Sequence, residues 1–174
     1  MKGKAIILTG YMGCGKTTIS KILAEKTGKQ LMDSDAEIER EQGISINEIF
    51  KLQGEAAFRG METELLRKLV NEGFDGVLSC GGGMPLKEEN RELLKQLGTV
   101  FYLKTGAAVI AGRLKGDGSR PLLNGLNDAE KVKKIEEMLM LRSESYEKGA
   151  DHVTDTDGLA PDEVASCILG FIHI

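Results

Sequence analysis

The sequence has no tryptophan, three prolines and two histidines, and its three cysteines, Cys14, Cys80 and Cys167, form no C-x-x-C pair. An odd cysteine count with so few histidines excludes a disulfide framework and a zinc site, so the thiols read as reduced. Long hydrophobic runs are missing too. No stretch approaches the roughly 18 apolar residues of a membrane span, and Ala5–Leu8 is too short for a signal-peptide core, so a cytoplasmic protein without membrane partners is expected. Positive charge is in deficit: 23 Lys and Arg face 27 Asp and Glu, a net charge of −4 that argues against a nucleic-acid binder. With 41% apolar residues and so little proline, low-complexity and disordered chains are excluded, and residues 1–174 read as one compact domain. Glycine is what abounds. It supplies 22 of the 174 residues, where average usage is about 7%.

Short apolar runs alternate with stretches of helical period. Strands are expected at Lys4–Thr9, Gln30–Asp33, Gly76–Cys80, Thr99–Leu103 and Asp151–Thr154. Between them the period predicts helices at about 16–26, 36–41, 46–52 behind a Ser45 cap, 55–72, 87–96, 107–114 and 128–147, with Pro161 opening the last. Such alternation implies βαβ units, hence an α/β fold of three layers, α/β/α, around a five-stranded parallel sheet. The pattern lapses only at about 115–127, a Gly-, Asp- and Asn-rich stretch that reads as a mobile lid loop.

The most specific segment is Gly10-Tyr-Met-Gly-Cys-Gly15-Lys16-Thr17, a G-x-x-x-x-G-K-[ST] phosphate loop between an expected strand and an expected helix. Its glycines let consecutive N–H groups turn toward an anion, and the helix dipole adds positive potential. Lys16 reaches the β- and γ-phosphates and the Thr17 hydroxyl suits Mg²⁺, so nucleoside triphosphate binding follows.

Other residues bear on the phosphate's destination. Asp33 and Asp35 stand at the end of the second expected strand, where parallel sheets bind ligands; one suits magnesium or its water and the other the hydroxyls of an acceptor, while either can simply cap the next helix. On the expected helix at 128–147, Val132, Ile135, Leu139, Arg142 and Tyr146 share a stripe, which turns Arg142 inward. Arg59 follows Phe58 in Gly54-Glu-Ala-Ala-Phe-Arg59-Gly-Met-Glu62. The two guanidinium forks suit a substrate carboxylate, with surface salt bridges as the plain alternative. Gly81-Gly82-Gly83 allows close approach of backbone to a ligand, or is only a turn. Arg120, in the lid, can act as an internal arginine finger or simply be solvated. A kinase for another polyol acid such as gluconate and a nucleotide-dependent switch both remain compatible with the phosphate loop.

Taken in order, Gly10–Thr17, Asp33-Ser-Asp35, Gly54-Glu55 with Phe58-Arg59 and Glu62, Gly81–Gly83, and Arg120-Pro-Leu-Leu123 with Arg142 and Tyr146 resemble the shikimate kinases, P-loop enzymes of the nucleoside-monophosphate-kinase-like group. The resemblance covers nearly the whole chain. It implies a P-loop kinase fold and transfer of the γ-phosphoryl of ATP to the 3-hydroxyl of shikimate, in a monomer with acceptor-binding helices at about 34–62. It further implies that Gly13, Cys14, Gly15, Lys16, Thr17 and Thr18 hold the nucleotide phosphates, with Arg113, Arg120 and Pro161 also on the nucleotide. Asp35, Arg59, Gly82 and Arg142 then hold shikimate, Thr17 and Asp33 support Mg²⁺, and Lys16, Asp33 and Arg120 serve catalysis. Three departures stand out: Thr17-Thr18 replace the Ser-Thr often seen there and keep a hydroxyl for the metal, Cys14 occupies a position usually Ser or Ala, and Leu159-Ala160 replace a basic residue that many relatives place near Pro161.

Overall fold

In the computed structural model, residues 4–115, 123 and 125–172 are described. Five strands form one parallel sheet: β1 (Ala5–Thr9), β2 (Leu31–Asp33), β3 (Val77–Ser79), β4 (Gly98–Lys104) and β5 (His152–Asp155), in the order β2-β3-β1-β4-β5. β1 pairs with β3 through Ile6–Val77, Ile7–Leu78 and Leu8–Ser79, and with β4 from Ala5–Gly98 to Thr9–Tyr102. The expected α/β architecture and parallel sheet are therefore present. The helices are α1 (Lys16–Thr27), α2 (Ser34–Gln42), α3 (Ile46–Gln53), α4 (Glu55–Glu72), α5 (Glu88–Leu97), α6 (Ala107–Arg113), α7 (Asp128–Gly149) and α8 (Pro161–Gly170).

Strand period two divides β1 between the layers. Ile6 and Leu8 pack with Ile19 and Leu23 of α1 and Val164, Ala165 and Ile168 of α8, whereas Ala5 and Ile7 face Ile38, Ile49, Phe58, Leu66 and Leu94 of α2–α5. Beyond β4, Tyr102 packs with Ile110 of α6 and Ile135 and Tyr146 of α7. Every residue of β1 is buried, as a central parallel strand must be when helices cover both faces.

Most boundaries follow local chemistry. α3 starts at a reciprocal Ser45–Glu48 capping box, and Glu130 with Asn127 does the same for α7. Two expectations need correction. The helix expected from residue 36 begins at Ser34, because the Asp33 carboxylate caps it, so Asp35 lies in a helical first turn rather than between strand and helix. A single 3₁₀ turn, Met84–Leu86, follows the triglycine run, where only a loop was expected; Met84 and Pro85 are buried in it. Residues 116–122 and 124 of the expected lid, including Arg120, lie outside the described residues. Among those described, no helix is long and apolar enough to cross a membrane.

Candidate active site

The loop after β1 is built by glycines in conformations that L side chains rarely adopt: φ is 144° at Gly10, 75° at Gly13 and 102° at Gly15. At Gly10 a Cβ would sit 2.8 Å from both the Leu103 carbonyl oxygen and Cys14 Sγ. Gly15 caps α1 with no side-chain acceptor, which leaves the first N–H groups of the helix free for an anion. The Lys16 ammonium donates to the carbonyls of Gly10 at 2.7 Å and Tyr11 at 3.0 Å, and lies 3.6 Å from Cys14 Sγ.

A cleft of about 360 Å³ opens between this loop and the C-terminal ends of β2 and β3, lined among others by Lys16, Thr17, Asp33, Asp35, Gly81 and Gly82. Such a crevice beside the central strand is the general ligand position of open parallel sheets. Asp33 Oδ1 accepts from the N–H groups of Asp35 at 3.0 Å and Ala36 at 3.1 Å, so capping and a place on the cleft coexist in one residue. Asp35 Oδ1 is buried without a partner. Burial first and the Asp33 charge second push the Asp35 carboxyl above its ordinary pKa, against the pull of Lys16 and Arg59.

The triglycine run has three distinct tasks. A side chain at Gly81 would collide with the Asp35 carboxylate, and one at Gly83 with the Arg59 guanidinium. Between them, Gly82 meets nothing closer than 3.5 Å, and its carbonyl accepts a 2.6 Å hydrogen bond from Tyr146 Oη. The Gly81 N–H donates to Ser34 Oγ at 2.8 Å. The glycines thus make room for the two charged groups as well as exposing backbone.

Arg59 is ion-paired, as its plain alternative held, although one partner is buried. Its Nη1 donates to Glu62 at 2.8 Å and its Nη2 to exposed Glu55 at 3.1 Å. Glu62 is fully buried with Oε1 unpartnered, and desolvation raises its pKa despite Arg59. Arg142 has no carboxylate partner among the described residues; its guanidinium lies 5.6 Å from the Tyr11 ring centroid and neighbours the Tyr146 hydroxyl. The two arginines flank the triglycine loop, Arg59 against Gly83 and Arg142 by way of Tyr146 and Gly82.

A second cavity of about 290 Å³ joins Cys14, Gly15, Thr18, Arg113, Leu159 and Pro161, so the residues expected around the nucleotide base meet beside the phosphate loop. Arg113 also donates to the Gly13 carbonyl at 3.2 Å. Three contributors had no role from sequence: Ser34, Glu62 and the Tyr146 hydroxyl. Glu62 was legible as the residue one turn beyond Arg59, but nothing in the spacing revealed its burial.

Residues 12–173 match the family model for shikimate kinase. The chain belongs to the shikimate kinase family. It is 43% identical to a shikimate kinase of Thermodesulfovibrio yellowstonii over 95% of this chain and 93% of that one, and 42% identical to one of Geobacter sulfurreducens over 98% and 92%. A solved shikimate kinase of Acinetobacter baumannii, in complex with shikimate, superposes with a TM-score of 0.86 at 38% identity, covering 98% of this chain and 93% of that one. A Bacteroides thetaiotaomicron shikimate kinase gives 0.88 at 31% identity, covering 98% of each. The P-loop kinase fold of this family is therefore the fold of this chain.

Proposed function

We propose that this chain transfers the γ-phosphoryl group of ATP to the 3-hydroxyl of shikimate, yielding shikimate 3-phosphate and ADP on the route to chorismate and aromatic amino acids. It acts as a monomeric cytoplasmic enzyme. The observation that carries this reading is the shared cleft: a phosphate loop forms one rim and Asp35 with Gly82 the other, and two arginines stand behind the glycines. A switch protein has no use for that second rim.

Gly13 to Thr18 bind the triphosphate through loop N–H groups, the α1 dipole and the Lys16 ammonium, with Arg113 and Pro161 beside the base. Lys16 leaves the Gly10 and Tyr11 carbonyls for the β- and γ-oxygens. Asp35 accepts from ring hydroxyls through its unpartnered Oδ1, and Arg59 and Arg142 hold the carboxylate with Gly82 as backbone contact. Asp33 orients the attacking hydroxyl. Arg120 neutralises charge on the moving group from the lid, which excludes water that would otherwise hydrolyse ATP.

The donor set also fits magnesium. Thr17 and Asp33 line one cleft with hard oxygens, and the helix cap engages only Oδ1 of Asp33, leaving Oδ2 for the ion or its water. An ion held at two protein oxygens would draw its other ligands from water and phosphate. When bound, Mg²⁺ neutralises the developing phosphate charge.

ADP release measured with shikimate, quinate, gluconate and no acceptor tests the proposal. Acceleration by shikimate alone is expected. Preference for gluconate, or one basal rate with every acceptor, would refute it.

A further inference from the structure

We infer that Tyr146 is a positioning residue for the acceptor, its phenol hydroxyl setting Gly82 and Arg142 relative to each other; this rests on the reading of both as acceptor contacts. Three observations converge. The hydroxyl donates to the Gly82 carbonyl at 2.6 Å across 64 residues of sequence. Arg142, one helical turn before Tyr146, neighbours the same oxygen and is aligned over Tyr11. The Tyr146 ring is fully buried and stacked on Tyr102 of β4, with centroids 5.0 Å apart, so the oxygen is held by a rigid plane on the sheet.

The loop needs such an anchor because it cannot supply one. Three consecutive glycines carry the largest backbone freedom of any tripeptide and no side chains to pack. Ser34 fixes the Gly81 N–H from the β2 side, and Arg59 fills the space beside Gly83. Among the described residues, Tyr146 reaches the middle residue from α7. Without the hydroxyl, Gly82 can rotate its peptide and Arg142 loses a neighbour that orients its fork. The loop and the arginine would then no longer be set by one atom.

The full-length Tyr146→Phe variant keeps the ring stack and removes the oxygen. Two readouts are taken: steady-state KM values for shikimate and ATP, and amide hydrogen exchange at residues 81–83 of the unliganded protein. The expected result is a shikimate KM raised about 2- to 12-fold, the worth of one net hydrogen bond. ATP KM and Tm stay near wild type, and exchange at 81–83 quickens. A KM for shikimate or an exchange rate at the wild-type value overturns the inference, as does a parallel rise in both KM values with a fall in Tm, which marks a packing defect. Failure of the kinase reading is distinguishable: the wild type itself then shows no shikimate-dependent ADP release, and the exchange measurement alone decides on the anchor.

Discussion

At the scale of single residues, two carboxyls pull against the fold, Asp35 on the cleft and Glu62 buried behind Arg59. Asp35 and Glu62 both titrate above their ordinary values because burial disfavours the anion. A raised carboxyl pKa means that the native state binds more protons than the unfolded chain between the two values, so stability falls as pH rises through that window. Asp35→Asn abolishes that slope at its position: its Tm advantage over wild type grows as pH is raised from the ordinary aspartate range, while acceptor binding is lost. Thermal melts at stepped pH with parallel kinetics check both parts, and a constant Tm difference would contradict the assignment. Arg59→Ala removes a bidentate-capable carboxylate contact, expected to lower kcat/KM for the acceptor about 10- to 150-fold. It also strands Glu62 in the core, a cost of about 3–5 kcal/mol. Because Glu62 can shed its charge by protonation, that cost shrinks in acid, which denaturant titrations at two pH values will show.

At the scale of elements, the helix chemistry was plain in the sequence and the side-chain assignments less so. Ser45 and Glu48 announce the start of α3, and both hydrogen bonds of their box are present. Ser45→Ala should cost about 1 kcal/mol in urea unfolding and leave both KM values unchanged, since no described residue of α3 lines the cleft and its Phe50 ring packs tilted against Phe58 of α4, centroids 5.0 Å apart. The phosphate loop was equally legible, because glycine spacing, Lys16 and a strand-to-helix context specify one backbone shape. Asp35 was not. Its place inside the helix depends on the Asp33 cap, and Asp, Asn, Ser and Thr can cap from several neighbouring positions with similar energy. Nor could spacing show that Arg59 and Glu62, three residues apart, form a half-buried pair instead of a surface one; that depends on what α4 packs against.

At the scale of the whole molecule, alternation of strand and helix predicts a parallel sheet but leaves the strand order open, since sequence carries no direct record of which edge a crossover takes. Observed order places β1 between β3 and β4, and the approach of β4 is set by one residue: a Cβ on Gly98 would overlap the Ala5 backbone. Gly98 has φ of 176°, extended backbone open to any residue, so the demand is for space. Gly98→Ala should cost about 1–3 kcal/mol of global stability through strain in the β1–β4 pair, read as a uniform loss by every unfolding probe. The layer beneath α1 has a consequence for biosynthesis. Ile6, Leu8, Ile19 and Leu23 are translated early, yet Val164, Ala165 and Ile168 of α8 complete their cover. A nascent chain stalled before α8 emerges should therefore carry its phosphate loop on a half-open layer, a species that chaperones would bind and proteases would cut, so that folding of the nucleotide site awaits the last helix.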